Sequence, residues 1–181
     1  MFGHSPFSRS PLIFVFALVV VPCALAQTKA PEIIAQGFSP GNAEAVVVSA
    51  IGSAKKELRV AAYSFTSKPI AKALVDAKKR GVNVEVVLDK SQEGERYTAS
   101  TFLVNEGVPV RINRKYAIMH NKFMVIDGDT VETGSFNYTS AAASKNAENV
   151  LVIRDSTLAT TYSKEWLRLW NEADSPKAKS N

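Results

Sequence analysis

His120 and Lys122 place an imidazole and an ammonium two residues apart, and Gly134, Ser135 and Asn137 add a permissive backbone, a hydroxyl and an amide a little further on. Residues 123–126 are apolar and read as a buried strand, in which side chains alternate between faces. His120 and Lys122 then leave the strand's start on one face, close enough to grip a small anion. Asp127 has the opposite parity and is expected to be structural, pairing or capping at the strand's end. Gly128-Asp129 is a tight turn signal, and residues 130–133 form a short strand that ends at Gly134. That glycine is expected to let the backbone approach a ligand closely. Together these groups suit a phosphate: the imidazole attacks phosphorus while Lys122, Ser135 and Asn137 hold the non-bridging oxygens. A lone His-x-Lys pair is more often a packed histidine beside a surface lysine. Six fixed positions in one register favour the chemical reading.

The pattern His120-x-Lys122-x4-Asp127-x6-Gly134-Ser135-x-Asn137 resembles the HKD signature of the phospholipase D superfamily. The flanking T-V-E-T-G-S-F-N-Y-T at 130–139 and K-N-A-E-N at 145–149 are similar to its small secreted bacterial endonucleases of the Nuc type. So are A-A-Y-S-F-T at 61–66 and K-K-R-G-V at 78–82. The resemblance implies a phosphodiesterase, foremost a non-specific endonuclease acting on DNA or RNA, in which neutral His120 forms a phosphohistidine. A second, protonated imidazole gives its proton to the leaving oxygen and then activates water. Glu148 matches the position where such enzymes place the carboxylate that holds the catalytic imidazole in one tautomer; a solvated loop glutamate is the alternative. The same residues in this superfamily also split phospholipids, so a phospholipase D acting on lipid head groups is the second reading. A nucleic-acid-binding protein without catalysis is the third, and the intact His120, Lys122 and Asn137 speak against it.

The elements that must position these groups alternate from residue 32 onward. Strands are expected at 32–38, 57–63, 82–88, 108–112, 123–126, 130–133 and 149–153. A turn at 39–42 leads into a helix ending near Ser53, whose apolar positions Ala45, Val46, Val48, Ser49 and Ile51 fit one face only loosely. Ser67 caps a helix that stops at Gly81. A polar loop spans 89–95 and a helix 97–105. The last helix, 156–171, turns Leu158, Tyr162, Trp166, Leu169 and Trp170 inward. The alternation predicts an α/β fold, a mixed and largely parallel sheet with helices on both faces, and one HKD motif per chain.

Residues 1–26 read as a secretory signal peptide: Arg9, an apolar run at 11–21, and Ala24-Leu25-Ala26 before Gln27. The apolar run is short of the ~20 residues that span a bilayer, so a periplasmic or secreted protein cleaved after Ala26 is expected. Removing the first 26 of 181 residues leaves 155, one domain over 27–173 with a disordered tail at 174–181. Cleavage also removes Arg9, lowering the formal charge from +5 to +4, and takes away the single cysteine, Cys23, and His4. No disulfide can then contribute, and His120 is the one histidine left.

Two imidazoles are needed and one is supplied, so a homodimer with a shared active site on its two-fold axis is predicted. Arg111, Arg114 and Lys115 are candidates for contacting a substrate backbone. Lys55-Lys56 and Lys78-Lys79-Arg80 read as solvated helix ends. Tyr116, Phe136 and Tyr138 could stack on bases, with core packing at least as good a reading for Phe136. No metal ligand set and no cofactor is indicated: the acids are scattered, and no second histidine or cysteine accompanies His120.

Overall fold

Ladder hydrogen bonds join seven strands into one sheet in a computed structural model that describes Met1, residues 30–93 and residues 99–177. In chain order the elements are β1 (Glu32–Ser39), α1 (Ala43–Ser53), β2 (Glu57–Ala62), α2 (Lys68–Lys79), β3 (Asn83–Asp89), α3 (Ala99–Asn105), β4 (Val110–Asn113), β5 (Lys122–Ile126), β6 (Thr130–Gly134), α4 (Ser140–Ser144), β7 (Glu148–Arg154) and α5 (Ser156–Asn171). The expected leader at 1–26 lies outside the described residues apart from Met1. Among the described residues no helix is long and apolar enough to cross a membrane.

The sheet order is β1-β7-β6-β5-β2-β3-β4. Only β2–β3 and β3–β4 are parallel; β1–β7, β7–β6, β6–β5 and β5–β2 are antiparallel. The expectation of a largely parallel sheet is therefore corrected to a mostly antiparallel one. The early strand–helix alternation does build the parallel part. After β4, however, the chain re-enters beside β2 running the other way; a tight turn then returns it as β6, and the longer connection carrying α4 brings β7 back antiparallel to β6.

Strand parity divides the core into two layers. Leu58, Val60, Ala62, Val86, Leu88, Met124 and Ile126 pack with side chains of α1, α2, α3 and α4. Ala61, Val87, Phe123, Val125 and Val131 face α5, which inserts Ala159, Trp166 and Leu169 and leans Leu158, Tyr162 and Trp170 on the same layer. Helices thus cover both faces. Trp166 stacks on Trp170 at 4.9 Å between ring centroids, and its indole N–H donates to the Val60 carbonyl at 3.0 Å. The α2 start is capped as expected, with Ser67 Oγ accepting from the Ile70 N–H at 3.2 Å. In α1 the buried positions are Ala43, Val47, Ala50 and Ile51, a regular helical face that differs from the loose one read from sequence. This helix is apolar nearly all round, so its inner side is chosen by the sheet.

Residues 174–177, expected within a disordered tail, are tied to the body. Asp174 bridges Ile112 backbone to backbone, and the Lys177 N–H donates to Glu93 at 2.7 Å. The polar loop after β3 begins with a short 3-10 turn at Lys90–Gln92, capped by the Asp89 carboxylate.

Asp127 anchors the turn between β5 and β6. It sits at φ 53°, a left-handed conformation that Asp and Asn tolerate better than most side chains. Its carboxylate accepts from the backbone N–H groups of Lys55 (2.9 Å), Lys56 (2.7 Å) and Glu57 (3.0 Å), fastening the β5–β6 turn to the start of β2. Burial by itself would push this carboxyl's pKa up. The N–H groups of Glu57, Lys56 and Lys55, with the Lys56 charge, outweigh it and hold the pKa below the usual value. Stability from these bonds is thus present above the usual Asp range near ~3.9 and is lost as pH falls through the lower folded value. Asp127→Asn keeps the backbone and one acceptor but loses the charge. It is expected to cost about 1–3 kcal/mol in denaturant unfolding at neutral pH, with kcat little changed. A variant that unfolds like wild type yet is inactive would contradict this anchoring role.

Candidate active site

β5 and β6 are joined at Asp127-Gly128-Asp129, so the start of β5 and the end of β6 lie at the same end of the sheet, with Phe123 opposite Thr133. At that end a cleft of about 800 Å³ opens, lined by His120, Lys122, Gly134, Ser135, Asn137 and Glu148, with Thr161, Tyr162 and Glu165 of α5 as its far wall. The residues singled out by spacing thus meet in one place.

His120 is exposed just before β5, and among the described residues its imidazole has no hydrogen-bond partner. Two residues that sequence reasoning passed over hold its surroundings. Tyr63, immediately after β2, lies with its ring 4.6 Å from the imidazole at an interplanar angle of 57°, and the Lys122 ammonium is 5.3 Å from the same ring. Asp89, fully buried at the end of β3, accepts from the Met119 N–H at 2.7 Å and so pins the backbone one residue before His120. An aspartate ending the apolar run V-V-L-D was the available signal for Asp89. Tyr63 lies in the segment A-A-Y-S-F-T at 61–66, whose resemblance gave it no role.

Lys122 is buried to 9% exposure, and its ammonium donates to the His120 carbonyl at 2.8 Å. Burial pushes its pKa down, partly opposed by the Glu148 carboxylate. The Tyr63 ring face helps to keep the desolvated cation in place. Ser135 Oγ donates to Glu148 at 2.5 Å and accepts from the Asn149 N–H at 3.1 Å. The second Glu148 oxygen accepts from Asn146 at 2.9 Å. Glu148 therefore stands in the cleft, bonded to Ser135 and Asn146 and without a hydrogen bond to His120. Asn137 Oδ1 is buried with no donor. An unpaired buried amide oxygen is costly, and it marks this side chain as set by the site and not by packing.

Gly134 permits a close approach of a different kind from the one expected. A Cβ there would lie 2.1 Å from the Asn149 carbonyl oxygen, so the neighbour is β7's backbone and not a ligand. Phe136 and Tyr138 are 1% and 0% exposed, which corrects the expectation that they could stack on bases. Tyr116 hydrogen-bonds Glu172 at 2.8 Å and is not among the residues lining the cleft.

Arg111, Arg114 and Lys115 are likewise not among the lining residues. The Arg111 guanidinium lies 4.3 Å from the Trp170 ring and donates to the Trp170 carbonyl at 3.0 Å. Arg114 pairs with Glu93 and Asp174, and Lys115 with Glu172 at 2.7 Å. Their charges are engaged with partners far away in sequence.

An imidazole and a partly desolvated ammonium share one cleft with a hydroxyl and an amide on an α/β sheet, a set of groups that suits a phosphodiester. The family model for the cardiolipin synthase, PLD-like domain matches residues 47–170, and the chain belongs to this phospholipase D-like family of phosphodiesterases. Among solved structures it is similar to Nuc from Salmonella typhimurium, a phospholipase D family member. The two share 42% identity with a TM-score of 0.78, over 82% of this chain and 100% of that one. Among curated proteins it is 38% identical over 128 residues to a phospholipase D of Rickettsia bellii, spanning 71% of this chain and 64% of the relative. It is 36% identical over 121 residues to a mitochondrial cardiolipin hydrolase of Xenopus laevis, spanning 67% and 58%. The matched stretch is thus less than two thirds of the length of these curated relatives.

Proposed function

We propose that this phosphodiesterase is an exported, metal-independent endonuclease of low sequence specificity that works through a phosphohistidine on His120. The convergence of His120, Lys122, Ser135 and Asn137 in one cleft carries this reading. The imidazole attacks phosphorus and displaces one bridging oxygen, and Lys122, Ser135 and Asn137 stabilise the charge that gathers on the equatorial oxygens. Glu148 lies in the same cleft, bonded to Ser135 and Asn146; in this reading it exchanges one of those bonds for the imidazole N–H when substrate binds, fixing the tautomer. A second imidazole protonates the leaving oxygen and then takes a proton from the water that frees the histidine.

After His4 the chain has no second histidine. The acid is therefore the partner subunit's His120, in a homodimer whose two-fold axis passes through the shared site. A lysine would be a poor acid and base in its place, with an ordinary pKa of about 10.4. Export rests on the leader pattern at 1–26. Metal independence rests on the donor set: among the described residues no group of three or more His, Cys, Asp or Glu is placed to hold an ion.

Nucleic acid is preferred over phospholipid as substrate. The cleft wall includes Thr161 and Tyr162, a hydroxyl and an aromatic ring that suit a nucleotide better than acyl chains, and Glu165 there is paired with Arg168. The likeness to Nuc also extends over the whole of that chain. The names of the Rickettsia and Xenopus relatives keep phospholipid cleavage as the second reading. Offered plasmid DNA, RNA and phosphatidylcholine vesicles separately in excess EDTA, the purified protein is expected to cut the nucleic acids. Cleavage of the lipid alone, or activity that returns only with Mg²⁺ or Zn²⁺, would overturn the reading.

A further inference from the structure

We propose that Glu132 and Tyr138 are positioning residues whose buried hydrogen bond clasps the two ends of the loop that carries Ser135 and Asn137. The proposal rests on the role given above to those two side chains. Glu132 on β6 precedes the loop and Tyr138 follows it. The Tyr138 hydroxyl donates to the Glu132 carboxyl at 2.6 Å, with the residues 0% and 1% exposed.

Each end of the clasp is fixed independently. Glu132 is held in the ladder between Met124 of β5 and Val152 of β7. The Tyr138 carbonyl accepts from the N–H groups of Thr66 (2.9 Å) and Ser67 (2.8 Å), and its ring meets Phe65 edge-on at 5.7 Å. Between these points Thr133 and Gly134 are still in the ladder with the neighbouring strands and Phe136 is buried in the core, so the freedom left is that of the Ser135 and Asn137 side chains. The Ser135 N–H and hydroxyl bond to the strip Glu148–Asn149, the Asn137 main-chain carbonyl accepts from the Thr139 N–H at 2.7 Å, and among the described residues the Asn137 amide oxygen has no donor. The aim of the Asn137 amide therefore depends on where its neighbour Tyr138 is held.

A glutamate in an apolar layer needs a reason, since burying a carboxylate with a single partner is costly. Burial pushes its pKa up to about 8, and the bond from Tyr138 opposes this only in part. Its ladder neighbours Met124 and Val152 carry no charge, and Tyr138 is the one titratable group acting on it. Near neutral pH the clasp is thus mainly an uncharged acid bonded to a phenol. The folded pKa lies above the ordinary value of about 4.3. The clasp's contribution to stability is therefore full below that value, declines as pH rises, and is lost above about 8.

The test compares Glu132→Gln, which keeps the shape and an acceptor but cannot ionise, with Tyr138→Phe, which removes the donor. Tyr138→Phe is expected to lower kcat roughly 10–100-fold with a smaller change in KM, the scale of a misplaced catalytic group. Glu132→Gln is expected to retain neutral-pH activity and to lose the part of wild type's alkaline decline that follows the carboxyl. A second arm reads the clasp without activity. Between about pH 6 and pH 9 the Tm of wild type should fall relative to that of Glu132→Gln. Parallel Tm curves, or wild-type kcat in a folded Tyr138→Phe, would overturn the clasp. An inactive wild type with diverging Tm curves would instead refute the catalytic reading and leave the clasp standing as a structural device.

Discussion

Replacing His120 by alanine is expected to reduce kcat by at least about 10⁴-fold, because in the proposed homodimer it removes the nucleophile and, from the partner subunit, the general acid as well. His120 is exposed and makes no hydrogen bond among the described residues, so the variant should fold as well as wild type. The same variant tests the shared site. Co-refolded with an equal amount of wild type, it should leave about a quarter of the all-wild-type activity, since only dimers with two histidines are competent. Independent sites would leave about half, and a fully active monomer in sedimentation would exclude sharing altogether.

Gly134→Ala is expected to be the most damaging single methyl group in the motif. The new Cβ would sit 2.1 Å from the Asn149 oxygen, 2.9 Å from its carbonyl carbon and 3.0 Å from Val150 Cα. All three are backbone atoms of β7 that cannot rotate away. β6 and β7 must then part at the end that carries Ser135, breaking the Ser135 N–H bond to Asn149. A loss of about 3 kcal/mol or more is expected, which for a domain of this size lowers Tm by roughly 6–12 °C. Activity should fall with it, because the Ser135 and Asn137 loop begins at this residue. An alanine variant with wild-type Tm would mean that the strands separate without penalty.

Much of the site was legible because its chemistry is local. The HKD spacing and strand parity suffice to put His120 and Lys122 on one side and Asp127 on the other. The Gly128-Asp129 turn brings Ser135 back to the same end of the sheet. Partners remote in sequence were not legible. Asp127 reads as structural from parity, but its bonds to Lys55, Lys56 and Glu57 come from the fold. The cluster Arg111, Arg114 and Lys115 looks like a basic patch until Glu93, Glu172 and Asp174 are found beside it.

Sheet direction failed for a related reason. Local alternation encodes that a strand exists and which side chains share a face, yet says nothing of the neighbour it pairs with. The docking of β5 against β2, and of β1 against β7, is decided by the whole core. Glu132 illustrates the same limit. Residues 130–133 read as a short strand, and nothing in T-V-E-T tells that the glutamate is buried against Tyr138.

In the proposed mechanism His120 carries the phosphoryl group between the two halves of the reaction. Rapid acid-free quenching of the enzyme with a ³²P-labelled oligonucleotide during turnover tests it most directly. Label is expected to be bound covalently to the peptide containing His120, released by mild acid and stable to alkali, as a phosphorus–nitrogen bond requires. Burst-phase formation should precede steady-state product, and the His120→Ala chain should take up no label. Turnover at full rate with no labelled peptide, or label that survives in the His120→Ala chain, would contradict it.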